Sequence, residues 1–175
     1  MATKLKKFTP ATLVTTRDQW VESAKELDIP FLDYDVILEW SANHICYENA
    51  NGDSLAYGIF DGKSDCAIAI VEIVYTQRTG GSWLKMLSVK LGPTLAPVVL
   101  ESDMSKLVEV LDIYAEATIG TVTLTGSHKA KVVKLYGRNE NLLRLLVALN
   151  ERLKAIAADK FGCKMEGRWL VITGK

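Results

Sequence analysis

The sequence predicts a single α+β domain over residues 1–175, with a central mixed, mostly antiparallel sheet flanked by helices. Three observations support this prediction. Residues 52–93 contain three short apolar runs separated by two glycine turns, which is typical of an antiparallel meander. Two long helical stretches, about residues 103–118 and 139–161, alternate with further strand-like sequence. The length of 175 residues suits one domain, and no repeat, linker or low-complexity segment interrupts the chain.

The composition argues against several classes of protein. Hydrophobic residues make up 49% of the chain and charged residues 24%, as in an ordinary globular protein. Twenty-one basic residues balance twenty-one acidic ones, which argues against a general nucleic-acid or membrane binder. There is no N-terminal apolar region and no apolar run near ~18 residues, so we expect neither a signal peptide nor a membrane span. Three cysteines without a CxxC pair indicate a reducing, cytoplasmic environment.

The first forty residues predict a strand and two helices. Residues 8–15 (FTPATLVT) are rich in strand-forming side chains and predict the first strand. Thr16 to Gln19 fits a capping box at the start of a helix. Pro30 ends that helix, because a proline disfavours the helical conformation in the residue before it.

The meander comprises Leu55–Phe60, Cys66–Tyr75 and Trp83–Leu91. The middle run is apolar apart from Glu72, which predicts a strand covered on both faces. Asp61-Gly62 is a hairpin signal, because glycine tolerates positive φ.

The second half predicts two helices among strands. The helix over residues 103–118 has an apolar stripe, and residues 119–125, 131–136 and 165–172 predict strands. The last helix begins at an Asn139 cap, and Gly162 is placed to end it in the left-handed conformation. The apolar stripe of the first of these helices is Met104, Leu107, Val108, Leu111 and Ala115. That of the last helix is Leu142, Leu145, Leu146, Leu149, Leu153 and Ile156.

Three local motifs carry a family resemblance. They are the strand ending in Asp61-Gly62, the alternating apolar strand that closes at Pro93, and the strand over residues 132–136 followed by Asn139. With the order of elements, they resemble the GNAT-type acyl-CoA N-acyltransferases over most of the chain. The resemblance implies a GNAT-like fold and transfer of an acetyl group from acetyl-CoA to an amine.

The family's phosphate-binding loop has no counterpart in the matching segment, residues 92–103 (GPTLAPVVLESD). Members carry an Arg/Gln-x-x-Gly-x-Gly/Ala loop there, whose backbone amides receive a pyrophosphate at a helix start. The segment here has one glycine, two prolines that donate no amide hydrogen, and the carboxylates of Glu101 and Asp103. We therefore expect acetyl-CoA, the implied cosubstrate, to bind weakly or not at all.

The resemblance also implies site residues. Glu72 is the carboxylate inside a central strand and the candidate base; pairing with Lys85 or Lys90, or exposure to solvent, is the alternative. Tyr136 is the candidate acid, with a buried structural tyrosine as the alternative. Four further residues are expected to bind the cosubstrate, the first two through strand backbone: Leu87, Val89, Gly92 and Asn139. No metal site is expected, since the two histidines and three cysteines form no ligand set.

A local basic stretch precedes the last helix. It comprises His128, Lys129, Lys131, Lys134 and Arg138. It suits an anion such as the 3′-phosphate of CoA or nucleic acid. Alternation sends Lys129 and Lys131 to one side of a strand and Lys134 to the other, which favours a solvated sheet edge.

Two functions follow from the sequence. The first is a GNAT-fold N-acetyltransferase. The alternative is a non-catalytic binding or assembly module of the same fold, with a protein partner or a second copy of the chain; membrane and nucleic-acid partners are not expected. The compact chain and degenerate motifs resemble GNAT-like proteins encoded by bacteriophages, which would make the alternative a virion component or an inhibitor of a host protein, located in the host cytoplasm or the virion.

We predict that Cys46, Cys66 and Cys163 are all reduced, because their spacing provides no disulfide framework. The intact mass of the native protein should equal that of the fully reduced chain. Loss of two hydrogens from the native mass would contradict the prediction.

Overall fold

A computed structural model describes residues 3–45, 54–62, 64–79, 81–95, 104–157 and 159–174. Its sheet has seven strands in the order β1-β2-β3-β4-β5-β7-β6, and every neighbouring pair is antiparallel except β4 and β5. The strands are β1 (Thr3–Lys7), β2 (Ser54–Asp61), β3 (Ala67–Arg78), β4 (Gly81–Leu91), β5 (Val132–Tyr136), β6 (Phe161–Glu166) and β7 (Trp169–Gly174). The helices are α1 (Pro10–Glu26), α2 (Leu32–Asn43), α3 (Met104–Leu124) and α4 (Glu140–Ala157). The predicted α+β class and mixed sheet are confirmed.

The predicted meander is also confirmed. Strand β3 pairs with β2 on one side and with β4 on the other. Its residues Ile70, Val71 and Ile73 are fully buried, so both faces of the strand are covered. This explains why the run is almost continuously apolar instead of alternating.

The predicted first strand, residues 8–15, is wrong: the strand is β1, and this segment begins α1. The Thr9 side chain accepts a hydrogen bond from the Thr12 amide at 3.1 Å, and the Thr12 hydroxyl accepts one from the Thr9 amide at 2.9 Å. This capping box lies about two helical turns before the predicted one at Thr16, and Pro10 follows its cap directly. The Thr16 hydroxyl instead donates to the carbonyl of Thr12, four residues earlier.

The predicted strand over residues 119–125 is also wrong, because helix α3 continues to Leu124. Threonine side chains that suggested a strand are held in the helix, because Thr118, Thr121 and Thr123 each donate their hydroxyl to the carbonyl four residues earlier.

The predicted apolar stripe of α3 is correct in part: Ala115 is buried and Leu111 packs against the core, but Leu107 and Val108 are exposed. The buried side of the helix carries Val110, Ile113, Ala117 and Thr121. Both rows have helical spacing, so periodicity alone does not separate them.

The helices lie on opposite faces of the sheet. Helices α1 and α2 contact β3 and β2, whereas α3 and α4 contact the other face. The predicted stripe of α4 is confirmed at its centre, where Leu146, Leu149 and Leu153 are buried. Ile156 is exposed, and Ala157 takes the buried place at the end of the helix.

The C-terminus forms a hairpin instead of one closing strand. Gly162 lies inside β6 and does not end a helix. The turn between β6 and β7 contains Gly167, whose φ of 60° is a left-handed conformation that glycine adopts without strain.

Two of the cysteines are described. Cys66 and Cys163 are free thiols, and burial raises the pKa of both. Cys46 lies outside the described residues. None of the helices in the described ranges has both the length and the apolar character needed to cross a membrane.

We predict that Leu146→Ala lowers the free energy of unfolding by about 2–5 kcal/mol, because it leaves a cavity at a fully buried site. Val147→Ala is the matched control on the same helix, since Val147 is 48% exposed. Urea denaturation of both variants measures the difference. Equal, small losses would show that Leu146 is not part of the core.

Candidate functional site

Strand β4 is paired unequally on its two sides. Ten of its residues are in register with β3, but only Trp83–Met86 are in register with Val132–Leu135 of β5. A bulge lies where the pairing ends: Ser88 pairs with Glu72 and Met86 with Ile73, which leaves Leu87 as the extra residue. A bulge bends its strand, so β4 and β5 separate beyond Met86.

A cleft of about 200 Å³ lies where the two strands separate. Side chains from both strands, from α3 and from the start of α4 line it. The lining residues are Met86, Leu87, Ser88, Val89, Tyr114, Leu135, Tyr136, Arg138, Asn139 and Leu142. Polar and apolar surface contribute about equally to the wall, and three hydroxyls, an amide and a guanidinium are available to orient a ligand.

The structure brings four of the six predicted site residues to this cleft: Leu87, Val89, Tyr136 and Asn139. Asn139 also caps α4, because its side-chain oxygen accepts a hydrogen bond from the Leu142 amide at 2.8 Å. The predicted cap is therefore confirmed, and it fixes the start of α4 at the mouth of the cleft.

Glu72 does not line the cleft but lies next to it. Its carboxylate accepts a hydrogen bond at 3.2 Å from the hydroxyl of Ser88, which does line the cleft. Neither Lys85 nor Lys90 lies within ion-pair distance of it in the part of the chain that the structure describes. Glu72 is half-buried, and the Ser88 hydroxyl lies between its carboxylate and the cleft.

Gly92 lies away from the cleft. Its amide already donates to the Ile68 carbonyl at 2.9 Å, and a Cβ built on it would come within 3.0 Å of the Trp20 ring. It acts as a close-packing position between β3 and α1. Residues 96–103, which hold most of the predicted phosphate-loop segment, lie outside the described residues.

Tyr136 is 41% exposed, so the alternative of a buried structural tyrosine is wrong. Its ring lies 4.7 Å from that of Trp169, centre to centre. The contact holds the phenol at the border between the cleft and the sheet face that carries Trp169.

Sequence reasoning missed Tyr114. Its hydroxyl lies 3.4 Å from the Val89 carbonyl oxygen, to which it donates, and burial raises its pKa to about 12. The phenol therefore keeps its proton throughout the neutral range. A signal for it was present in the sequence. If the stripe through Val110 and Ala117 is taken as the buried side of α3, Tyr114 is predicted to face the sheet.

The basic stretch does not form a sheet edge. Lys134 lies in β5, which has β4 on one side and β7 on the other. Lys129 and Lys131 precede that strand, and Lys129 has a φ of 51° in the turn that leads into it. The interpretation as a solvated edge is wrong, because β5 is an interior strand.

Within the described ranges, no group of three or more histidine, cysteine, aspartate or glutamate residues is arranged to hold a metal ion.

Comparison with known proteins gives structural similarity at low sequence identity. No protein-family model and no curated protein sequence matches the chain. One similar solved structure is a GNAT-family acetyltransferase from Listeria monocytogenes 4b F2365, with a TM-score of 0.46 and 9% identity over 97% of this chain and 92% of that one. Another is from the NatC complex bound to Gag peptide and CoA, with a TM-score of 0.41 and 12% identity over 100% of this chain and 99% of that one. At these values neither structure assigns an activity to this chain.

We predict that Tyr114→Phe flattens the alkaline part of the stability profile. The unfolded chain loses the phenol proton near pH ~10 and the folded chain only near pH 12, so wild-type stability falls between these values. The slope from this group is at most about 1.4 kcal/mol per pH unit. Urea denaturation at about pH 8, 10 and 11 measures it.

Near neutral pH the Tyr114→Phe variant should lose only about 0.5–1.5 kcal/mol, the worth of one hydrogen bond. Identical alkaline slopes for the variant and the wild type would contradict the burial of this phenol.

Proposed function

We propose that the cleft between β4 and β5 binds the thioester arm of an acyl-CoA, and that the chain is a GNAT-type N-acyltransferase that moves an acetyl group to an amine. The observation that carries the proposal is the unequal pairing of β4. Beyond Met86 none of the described strands pairs with the β5 side of this strand, and the cleft lies along that side.

The cleft suits the pantetheine arm of CoA. This arm is a narrow chain with two amides, and an unpaired strand edge binds such chains by backbone hydrogen bonds, as it would an added strand. Apolar side chains from Met86, Leu135 and Leu142 line the cleft around it. One acceptor on β4, the Val89 carbonyl, is already used by Tyr114, so the arm must bind the remaining backbone groups.

The chemistry requires one proton to be removed and one to be supplied. The amine nitrogen attacks the thioester carbonyl carbon, the carbon–sulfur bond breaks, the nitrogen loses a proton and the departing sulfur gains one. Glu72 is the proton acceptor in this proposal, acting through the Ser88 hydroxyl that it holds. Tyr136 or Tyr114 supplies the donor hydroxyl, since both line the cleft.

We predict weak binding of acetyl-CoA, with a Kd no tighter than about 100 μM, or roughly −5.5 kcal/mol. Pro93 and Pro97 remove two amide donors from the segment that would meet the pyrophosphate, and Glu101 and Asp103 add negative charge. Isothermal titration calorimetry at high protein concentration measures the affinity. Low-micromolar binding that is lost on Lys129→Ala and Lys131→Ala would show that the basic stretch replaces the loop.

A matched pair of variants locates the binding. Leu142→Trp introduces a large side chain from α4 into the cleft, whereas Val147→Trp introduces the same side chain at an exposed position of that helix. We expect the first to abolish acetyl-CoA binding and the second to leave it unchanged, with both variants folded by circular dichroism. No saturable binding to the wild type, or binding insensitive to Leu142→Trp, would contradict the proposal.

A second candidate function is the non-catalytic binding or assembly module. The observation that favours it is the outer face of α2, where Leu32 is 74% exposed and Val36, one helical turn later, is 62% exposed. Exposed apolar side chains at this spacing are typical of protein contacts. Sedimentation velocity of the wild type and of a Leu32→Ser, Val36→Ser variant tests for association of this chain with itself.

A further inference from the structure

Three lysines lie in one row across the sheet. Strand register places Lys85 of β4 beside Lys134 of β5, Lys134 beside Val171 of β7, and Val171 beside Lys164 of β6. The neighbours of Lys85 along β4, Leu84 and Met86, belong to the core under α3 and α4. Because side chains alternate along a strand, the row lies on the opposite face.

This part of the opposite face carries no helix among the described elements. Helices α1 and α2 lie on that side, but their main contacts with the sheet are with β3 and β2. We refer to the face formed by Trp83, Lys85, Lys134, Tyr136 and Trp169 as the lysine face. It adjoins the cleft, because Tyr136 belongs to both.

The ammonium groups of Lys85 and Lys134 both lie near the ring of Trp83. They are 6.0 and 5.5 Å from its centre, and the two residues are directly opposite each other in the register of β4 and β5. Both side chains are half-buried, and Val171 beside Lys134 is only 6% exposed. An apolar floor of this kind strengthens the interaction of an ammonium group with an anion, because it excludes water on one side.

No carboxylate in the described ranges lies within ion-pair distance of either ammonium group. The third lysine of the row is different, since the Lys164 ammonium lies 2.6 Å from a carboxylate oxygen of Glu166. Like charges placed directly opposite each other on neighbouring strands destabilise a sheet. Glu166 acts on Lys134 at longer range, but neither lysine of the pair has an ion-pair partner among the described residues. The two like charges therefore repel each other, and an anion between them would relieve that repulsion.

We propose that Lys85 and Lys134 form a binding site for a phosphate group on the lysine face. Lysine binds an anion as a point charge, so the charge of the anion decides the strength of the interaction. Two neighbouring ammonium groups thus favour a phosphate dianion over a carboxylate, which carries a single charge. The site stands on these two side chains and requires neither CoA binding nor acyl transfer.

The experiment is a titration with inorganic phosphate, followed by the backbone amide NMR signals of β4 and β5 at constant ionic strength. In the wild type, the signals of Lys85 and Lys134 should shift and saturate at millimolar phosphate. Sodium acetate at the same ionic strength should give a weaker effect. In the Lys85→Met, Lys134→Met variant the affinity should fall at least about tenfold, as expected for the loss of one or more charge-assisted hydrogen bonds.

Methionine retains the apolar stem that covers Trp83 and Val171, so the double variant keeps the packing and removes only the charge. Lys164→Met, Glu166→Gln is the matched control on the same row. It removes the Lys164–Glu166 ion pair as a whole and leaves the net charge beside Lys134 unchanged, so its phosphate affinity should stay within about twofold of wild type.

A thermal measurement gives a second readout. Phosphate should raise the Tm of the wild type more than sodium chloride does at equal ionic strength, and this excess should vanish in the double variant. Shifts that rise linearly without saturation, equal affinity of wild type and double variant, or acetate binding as tight as phosphate would each overturn the proposal.

Discussion

The pairing of β4 is the constraint on which the site depends. A strand in the middle of a sheet normally satisfies its backbone hydrogen bonds on both sides. Strand β4 does so along its length with β3 but over only four residues with β5. The bulge at Leu87 marks the point of divergence, and the groups beyond it must find other partners or a ligand.

Neighbouring elements adapt to this divergence. The Tyr114 hydroxyl supplies one substitute donor to β4, at the Val89 carbonyl. The Asn139 cap starts α4 beside the gap, so the gap becomes a cleft bounded by a helix instead of an open edge. An extended ligand in the cleft could therefore pair with the part of β4 that β5 does not reach, which is the physical basis for proposing such a ligand there.

Much of the fold was predictable, and the errors share a cause. The meander and α4 follow from glycine turns and from strong apolar patterning. Residues 8–15 and 119–125 were predicted as strands because they are rich in β-branched side chains. Both lie in helices, where threonine hydroxyls bond to carbonyls of the preceding turn. Local propensity was outweighed by these side-chain bonds and by burial against the sheet.

The site residues could be predicted only where a motif of the family resemblance matched a position in this sequence. Leu87, Val89, Tyr136 and Asn139 were placed by strand and cap motifs, and all four line the cleft. Tyr114 depends on the rotation of α3 about its axis, which the predicted stripe placed incorrectly at Leu107 and Val108. The juxtaposition of Lys85 and Lys134 depends on the register of a parallel pair whose strands are far apart in sequence, and no local pattern encodes that register.

The edge strands of the sheet affect how copies of the protein can associate. Strands β1 and β6 are the outermost strands, and both carry lysines: Lys4, Lys6 and Lys7 on one and Lys164 on the other. Border strands expose backbone groups that can template fibril growth. Pairing β1 of one copy with β1 of another would bring lysine charges together at the spacing of adjacent strands, whereas on β6 the charge of Lys164 is balanced by Glu166. The lysines of β1 thus oppose aggregation through that edge of the sheet.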